Sequence, residues 1–291
     1  MKTFTVSMFP GQGAQLQGMG RDLFEKYEYH LRSAQRVLGY SLVQLCEGKI
    51  GDLNSTEFTQ PALFVVNILH YLDSLEKQES LPEAFLGHSL GEYCALFAAG
   101  AFSFSTALAL VQERGRCMAL CSEGAMAAVI GLPLEQVEHM LFTSNFSDLT
   151  IANFNSPTQF VISGDGVELL RFKQTVLQQK GIFYPLPVKG AFHSNRMACV
   201  AERFKTFLQQ ADIYPLKVPV MSNVTAGAYP PNDREQLIDL LVKQLSSPVR
   251  WQQCIENLPV NKQILCFEHG PKPVLGQLAK QILGGRITLM K

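Results

Sequence analysis

Apolar and polar positions change period several times along this chain. Phe4 to Phe9 is a short apolar-rich run that breaks at Pro10-Gly11-Gln12-Gly13, the profile of a strand entering a turn. Three- and four-residue spacing predicts helices over Gly20 to Leu38 and Gln60 to Glu76. Ala84-Phe85-Leu86 reads as a second strand, and it gives way at Gly87-His88-Ser89-Leu90-Gly91 to an amphipathic stretch from Glu92 to Ala99. Another helix is expected from Ser105 to Cys121, and two later strands near Val218 to Met221 and Ile264 to Glu268.

Between these lies a unit of different texture. Met126 to Ile130 predicts a strand, Pro133 to Phe142 a helix, and Leu149 to Phe154 and Gln159 to Ser163 two strands about the turn Asn155-Ser156-Pro157. Val167 to Gln179 predicts a helix and Phe183 to Val188 a last strand. That order, β-α-β-β-α-β, is ferredoxin-like. The expected fold is therefore α/β: a large α/β-hydrolase-like domain with a parallel sheet, residues 1–123 and 190–291, interrupted by a small ferredoxin-like domain, residues 124–189.

Composition narrows the function classes. The net charge is zero with 25 cationic and 25 anionic side chains, so the basic excess of a nucleic-acid binder is missing. No apolar run has the length of a membrane span, and no signal-peptide core precedes Gly11. Seven cysteines lack metal-ligand spacing, and Cys117 and Cys121, four apart on one helix, read as packing residues. A reducing cytoplasm is the expected compartment, a monomer the default state, and no metal is expected.

Candidate chemistry centres on Ser89. A G-x-S-x-G turn between strand and helix lifts a serine oxygen clear of its backbone, and the amide of Leu90 would face a developing oxyanion. A capping serine in a glycine-rich turn is the plain alternative. The serine needs a base. His30, His70 and His139 lie in helical patterns with no other sign of a site, and His88 adjoins Ser89 on the turn, where neighbours point apart. His193, in Gly190-Ala191-Phe192-His193-Ser194, and His269, in Glu268-His269-Gly270-Pro271, are rivals on the residues alone.

Arg114 is the most telling charge. Ala107, Leu110, Val111, Cys117, Met118 and Cys121 form one apolar face of their helix, and Arg114 falls near its middle, with Gln112, Glu113 and Arg116 on the other side. An inward guanidinium needs an anion, either an internal Asp or Glu or a substrate carboxylate held by two parallel hydrogen bonds. The Gln12 turn lacks the ending of a phosphate loop and suits a second oxyanion donor, or a plain strand-to-helix turn.

Taken in order, Phe9-Pro10-Gly11-Gln12-Gly13, Thr59-Gln60-Pro61-Ala62-Leu63, Gly87-His88-Ser89-Leu90-Gly91-Glu92, Gln112-Glu113-Arg114-Gly115, Asn153-Phe154-Asn155-Ser156-Pro157, Gly190-Ala191-Phe192-His193-Ser194 and Gly270-Pro271-Lys272-Pro273-Val274-Leu275 resemble the malonyl-CoA:acyl-carrier-protein transacylase family. The resemblance spans nearly the whole chain and is strongest to the discrete acyltransferases that serve polyketide synthases in trans. It implies Ser89 as the acylated nucleophile, His193 as its base, and the amides of Gln12 and Leu90 as the oxyanion hole. It further implies that Arg114 holds the malonate carboxylate and that Gln60, Asn155, Phe192 and His88 line the cleft. A backbone carbonyl, placed by the match at Ser247-Pro248-Val249-Arg250-Trp251 near Arg250, would orient the histidine. Ala191-Phe192-His193 looks like the malonyl-type motif. Malonyl-CoA is then the acyl donor, and the acceptor is the phosphopantetheine thiol carried by an acyl carrier protein, with no tightly bound cofactor.

The chain also begins and ends near the family's catalytic unit and is expected to be free-standing. Lys189, Arg196, Lys272 and Lys280 are candidates for docking an acidic carrier protein. Three rival readings make distinct demands. An acyl hydrolase of the same family gains nothing from Arg114. An ordinary esterase would use His269 with Asp233 or Asp239. A non-catalytic docking module has no use for Ser89 or His193.

Overall fold

The computed structural model describes residues 2–77, 81–143 and 146–290. In chain order its elements are β1 (Thr3–Phe9), α1 (Glu28–Leu38), α2 (Leu42–Cys46), α3 (Thr56–Leu75), β2 (Ala84–Gly87), α4 (Gly91–Ala98), α5 (Phe104–Leu120) and β3 (Ala125–Ile130). Then come α6 (Leu134–Thr143), β4 (Leu149–Ser156), β5 (Gln159–Gly164), α7 (Gly166–Gln178), β6 (Ile182–Pro185) and α8 (Ala198–Gln209). The chain closes with α9 (Arg234–Ser246), α10 (Trp251–Glu256), β7 (Gln263–Glu268), α11 (Leu275–Leu283) and β8 (Ile287–Leu289).

Two sheets organise these elements. The first is parallel, in the order β2-β1-β7-β8. β2 and the second half of β1 are buried on both faces, as the interior of a parallel sheet requires. Val6 and Met8 of β1, with Ala84 and Leu86 of β2, join a core that includes Trp251, Ile264 and Leu278; Phe9 and Phe85 join the larger core formed by α3, α4, α5, α8 and α9. That segregation follows from the two-residue period of a strand.

The second sheet is antiparallel, in the order β4-β5-β3-β6, the ferredoxin-like pairing. Ala127, Val129, Phe160 and Ile162 pack with Phe172 and Val176 of α7 and Val137 and Met140 of α6. Met126, Ala128, Ala152 and Val161 face the other way and join the large core. The α/β fold with a parallel sheet and a small ferredoxin-like sheet is thus as the sequence predicts.

Several elements differ from expectation. The first helix begins at Glu28 and not Gly20, because Gly18 and Gly20 hold φ of 82° and 77° and the intervening residues run as successive turns. α3 starts at Thr56, so Pro61 lies inside the helix, where the hydroxyl of Thr59 turns back onto the carbonyls of Leu53 and Ser55. Val218 to Met221 forms no strand and makes two isolated bridges, Val220 to Phe85 on the outer edge of β2 and Met221 to Ala228. Gln112, expected outside, is buried and donates to the carbonyl of Leu38. β8 is an additional edge strand, three residues long and without a strong apolar run to announce it.

The junction of β2 and α4 explains the glycines around Ser89. A Cβ on Gly91 would lie 1.9 Å from the carbonyl oxygen of Phe9, one on Gly87 2.0 Å from the carbonyl carbon of Gly91, and one on Gly11 2.4 Å from the carbonyl oxygen of His88. These backbone atoms cannot yield as a side chain would. Gly91→Ala is therefore expected to cost at least about 3 kcal/mol or to abolish folding, measured by urea denaturation.

Candidate active site

The candidate site lies beyond the carboxyl ends of β1 and β2, where open parallel sheets place their ligands. Ser89 stands at the apex of the elbow with φ of 51°, a left-handed conformation that a non-glycine residue adopts only when its surroundings enforce it. Asn223 provides that enforcement. Its Oδ1 accepts from the Ser89 amide at 2.7 Å, and its Nδ2 donates to the Gly87 carbonyl at 2.8 Å.

Ser89 Oγ lies 2.8 Å from His193 Nε2. The other ring nitrogen, Nδ1, faces the backbone carbonyl of Gln244 at 2.8 Å, which fixes the tautomer with the proton on Nδ1 and the lone pair of Nε2 toward Ser89. The orienting carbonyl is therefore that of Gln244 and not of Arg250, whose amide donates to the Asn223 carbonyl. The two positions lie on either side of the turn from α9 to α10, and α9 reaches further toward His193 than the motif match suggests. Burial pushes the imidazole of His193 down to about 3, with the Arg114 charge acting in the same direction.

Arg114 is 1% exposed. Its Nη1 donates to Gln60 Oε1 at 2.6 Å, and its Nη2 donates to Gln244 Oε1 at 2.9 Å and to Ser89 Oγ at 3.0 Å. All three acceptors are neutral, and Nε has none. Among the described residues no carboxylate forms an ion pair with it.

The acceptors are held in turn. Gln60 Nε2 donates to Thr56 Oγ1, which donates to Gln12 Oε1. Gln244 Nε2 donates to the Ser89 carbonyl at 3.0 Å and to Glu92 Oε2 at 2.7 Å. Since the Ser89 carbonyl can only accept and Arg114 can only donate, the amide group of Gln244 must face the carbonyl, and its oxygen is left for Arg114. Glu92 is fully buried, also bonded to the Tyr229 hydroxyl and the Asn223 amide, and burial pushes its carboxyl up to about 7.

A cavity of about 260 Å³ opens on these groups. Gln12, Gln60, His88, Ser89, Leu90, Arg114, Asn155, Phe192 and His193 all line it, while Arg250 does not. Its far wall comes from the antiparallel sheet through Met126, Ala128, Asn153 and Val161. His88 Nε2 lies 2.9 Å from Asn155 Oδ1, and this contact ties the elbow to that wall. Among the described residues, the backbone amides of Gln12 and Leu90 make no hydrogen bond, so both remain available to a ligand.

His269 stands elsewhere. Its Nε2 contacts Ser7 Oγ at 2.9 Å inside the core, between Phe9 and Tyr71. Asp233 caps α9, and Asp239 lies near Lys205, so the esterase arrangement does not assemble. Arg196 is paired with Asp148, whereas Lys189, Lys272 and Lys280 are exposed. No group of three His, Cys, Asp or Glu side chains among the described residues could hold a metal, and no described helix is long and apolar enough to cross a membrane.

Sequence reasoning missed Gln244, Glu92 and Asn223. Two of them carried a readable signal. Gln244 shares the apolar face of α9 with Leu237, Leu240, Leu241 and Leu245, and Glu92 is the one charged residue of α4. Asn223 lies in a turn that has no such pattern.

A serine, a neutral base and an uncompensated cation around one cavity define a nucleophilic acyl-transfer site. The acyl transferase domain family matches residues 6–283, and the chain belongs to that family. It is 42% identical to the polyketide biosynthesis malonyl CoA-acyl carrier protein transacylase BaeC of Bacillus velezensis, over 94% of this chain and 95% of that protein. It is 43% identical to PksC of Bacillus subtilis, described in the same words, over 94% and 96%. The crystal structure of the malonyl CoA-acyl carrier protein transacylase from Burkholderia pseudomallei superposes with a TM-score of 0.92 at 38% identity, covering 96% of this chain and 97% of that one.

Burial of neutral histidines links stability to pH. Burial also pushes His269 down to about 3. Below pH 6.5 the unfolded chain takes up protons at these two positions and the folded chain does not, so stability falls with pH by about 1.4 kcal/mol per unit for each of them. His88, His70 and His30, also lowered by burial, add to the loss. Glu92, raised to about 7, opposes one of them between pH 6.5 and 4.5, because there the folded state binds the extra proton. Urea titrations are expected to show a shallow loss of stability from pH 6.5 to 4.5 and a steeper one below, with His269→Gln flattening both.

Proposed function

We propose that this protein transfers malonyl groups from malonyl-CoA to the phosphopantetheine thiol of an acyl carrier protein, through a malonyl ester on Ser89. The observation that carries the proposal is a buried guanidinium with no carboxylate partner, 3.0 Å from the nucleophilic oxygen. An arginine left this way stabilises a ligand that brings a second negative charge into the cavity. Malonyl thioesters carry that charge; acetyl thioesters do not.

In the first half-reaction Ser89 Oγ attacks the thioester carbonyl while its proton passes to His193 Nε2. The oxyanion is received by the amides of Gln12 and Leu90, and the intermediate collapses as CoA leaves with the proton from His193. In the second, the pantetheine thiol gives its proton to His193 and attacks the ester, and Ser89 recovers its hydrogen. A peptide carbonyl behind His193 stabilises the imidazolium less than a carboxylate would, which suits an acceptor that is a thiol and not water. Gln60, His88, Asn155 and Phe192 shape the cavity around the acyl group. An acyl hydrolase would have no use for Arg114, and a docking module none for the Ser89–His193 pair.

In this reading residues 1–123 and 190–291 form the catalytic domain, and residues 124–189 an inserted unit that supplies one wall of the cleft. Carrier proteins are acidic, and the exposed Lys189, Lys272 and Lys280 supply local positive charge. The relatives BaeC and PksC support a role in extender supply for polyketide synthesis. Seven free thiols support a reducing compartment, the cytoplasm.

Arg114→Ala is expected to slow acylation of Ser89 by malonyl-CoA by about 10²- to 10³-fold while acetyl-CoA acylation is kept or raised. Intact-mass spectrometry after brief incubation with each thioester reads both, and equal losses would count against the clamp. His193→Ala should abolish acylation, and His269→Gln should leave it in place.

A further inference from the structure

Of the seven cysteines, Cys46, Cys94, Cys117, Cys254 and Cys266 are buried; Cys121 is half-buried and Cys199 exposed. These last two meet. Cys121 caps the end of α5, Cys199 sits in the first turn of α8, and their sulfurs lie 3.5 Å apart although 78 positions separate them in the chain. A disulfide needs about 2.05 Å, so an approach of about 1.5 Å completes the bond.

The surroundings divide the labour between the two thiols. Cys199 is open to solvent in the first turn of a 12-residue helix, where an oxidant in solution can reach its sulfur. Cys121 is held protonated by burial, its thiol pushed up to about 11. An exposed thiol with a protonated neighbour in contact matches the arrangement of an attacking and a resolving cysteine.

We propose that Cys121 and Cys199 are a site of reversible oxidative modification, forming a disulfide when a hydroperoxide reaches Cys199. The Cys199 sulfur attacks the terminal peroxide oxygen and the O–O bond breaks, giving a sulfenic acid, while the leaving oxygen takes the thiol proton and departs as an alcohol or, from hydrogen peroxide, as water. The Cys121 sulfur then attacks the Cys199 sulfur; the S–O bond breaks, and the departing oxygen leaves as water with the Cys121 hydrogen. Overall two thiols are oxidised, and with hydrogen peroxide as oxidant two waters form. A dithiol reductant reverses the bond.

The position gives the bond a structural meaning. Two chain segments cross beside it, joined by the Ala191 amide donating to the Glu123 carbonyl at 3.2 Å and the Gly190 amide to the Gly124 carbonyl at 3.4 Å. These segments connect the antiparallel sheet to the helices that carry Arg114 and follow His193. The disulfide would close a loop containing that entire sheet, and a long closed loop restricts the unfolded chain.

The full-length protein treated with hydrogen peroxide, then alkylated and digested without reductant, provides the test. The expected result is a monomer lighter by about 2 Da, a linked peptide pair containing Cys121 and Cys199, and a thermal midpoint at least about 4 °C higher, all reversed by dithiothreitol. Cys199→Ser, outside the acyl-transfer machinery, should transfer malonyl groups normally yet show none of these changes. Cys199 advancing to sulfinic acid with Cys121 free, a dimer linked through Cys199, or a linked monomer with an unshifted midpoint would each overturn the proposal.

Discussion

A buried positive charge that the protein does not neutralise governs the architecture of this site. Placing a guanidinium at 1% exposure costs several kcal/mol unless something answers its charge. Here the protein answers with neutral groups: the amide oxygens of Gln60 and Gln244, the hydroxyl of Ser89, and the ring of Tyr93, whose centroid lies 5.5 Å from the guanidinium carbon. Those dipoles hold the geometry of Arg114 without cancelling its charge. The buried carboxyl of this network, Glu92, touches Gln244 and not Arg114, so a glutamine stands between the two groups.

That glutamine joins nearly every part of the machinery. Its side chain fixes Arg114 and the Ser89 backbone, and its own carbonyl fixes His193. Its amide can point only one way because the Ser89 carbonyl requires a donor and the Arg114 guanidinium requires an acceptor. The strained turn at Ser89 is held from behind by Asn223, whose amide also bonds Glu92. Nucleophile, base and cation therefore rest on one shared hydrogen-bond network, and rigidity of that kind keeps reacting groups in register.

Much of this was legible in the residues. The two-residue period of β1 and β2, the glycines around Ser89 and the strand–helix order from Met126 to Phe183 all arise from local rules, and local rules are what a single sequence displays. Arg114 stood out because a charge on an apolar helix face contradicts its neighbours. Gln244 broke the pattern of α9 in the same way, more quietly, since an amide contradicts a leucine face less than a guanidinium does. The carbonyl behind His193 was assigned to the wrong side of a turn because backbone groups carry no sequence signature. β8 and the bridge at Val220 depend on pairing with distant strands, and Gly20 to Tyr27 failed as a helix through positive φ angles that spacing alone does not expose.

The most direct measurement is a crystal structure of the protein acylated on Ser89 from malonyl-CoA. The free carboxylate should lie within about 3 Å of the Arg114 guanidinium, displacing its contact with Ser89 and making two charge-assisted hydrogen bonds. A malonyl ester whose carboxylate points to solvent, with Arg114 still bound only to Gln60 and Gln244, would contradict the account.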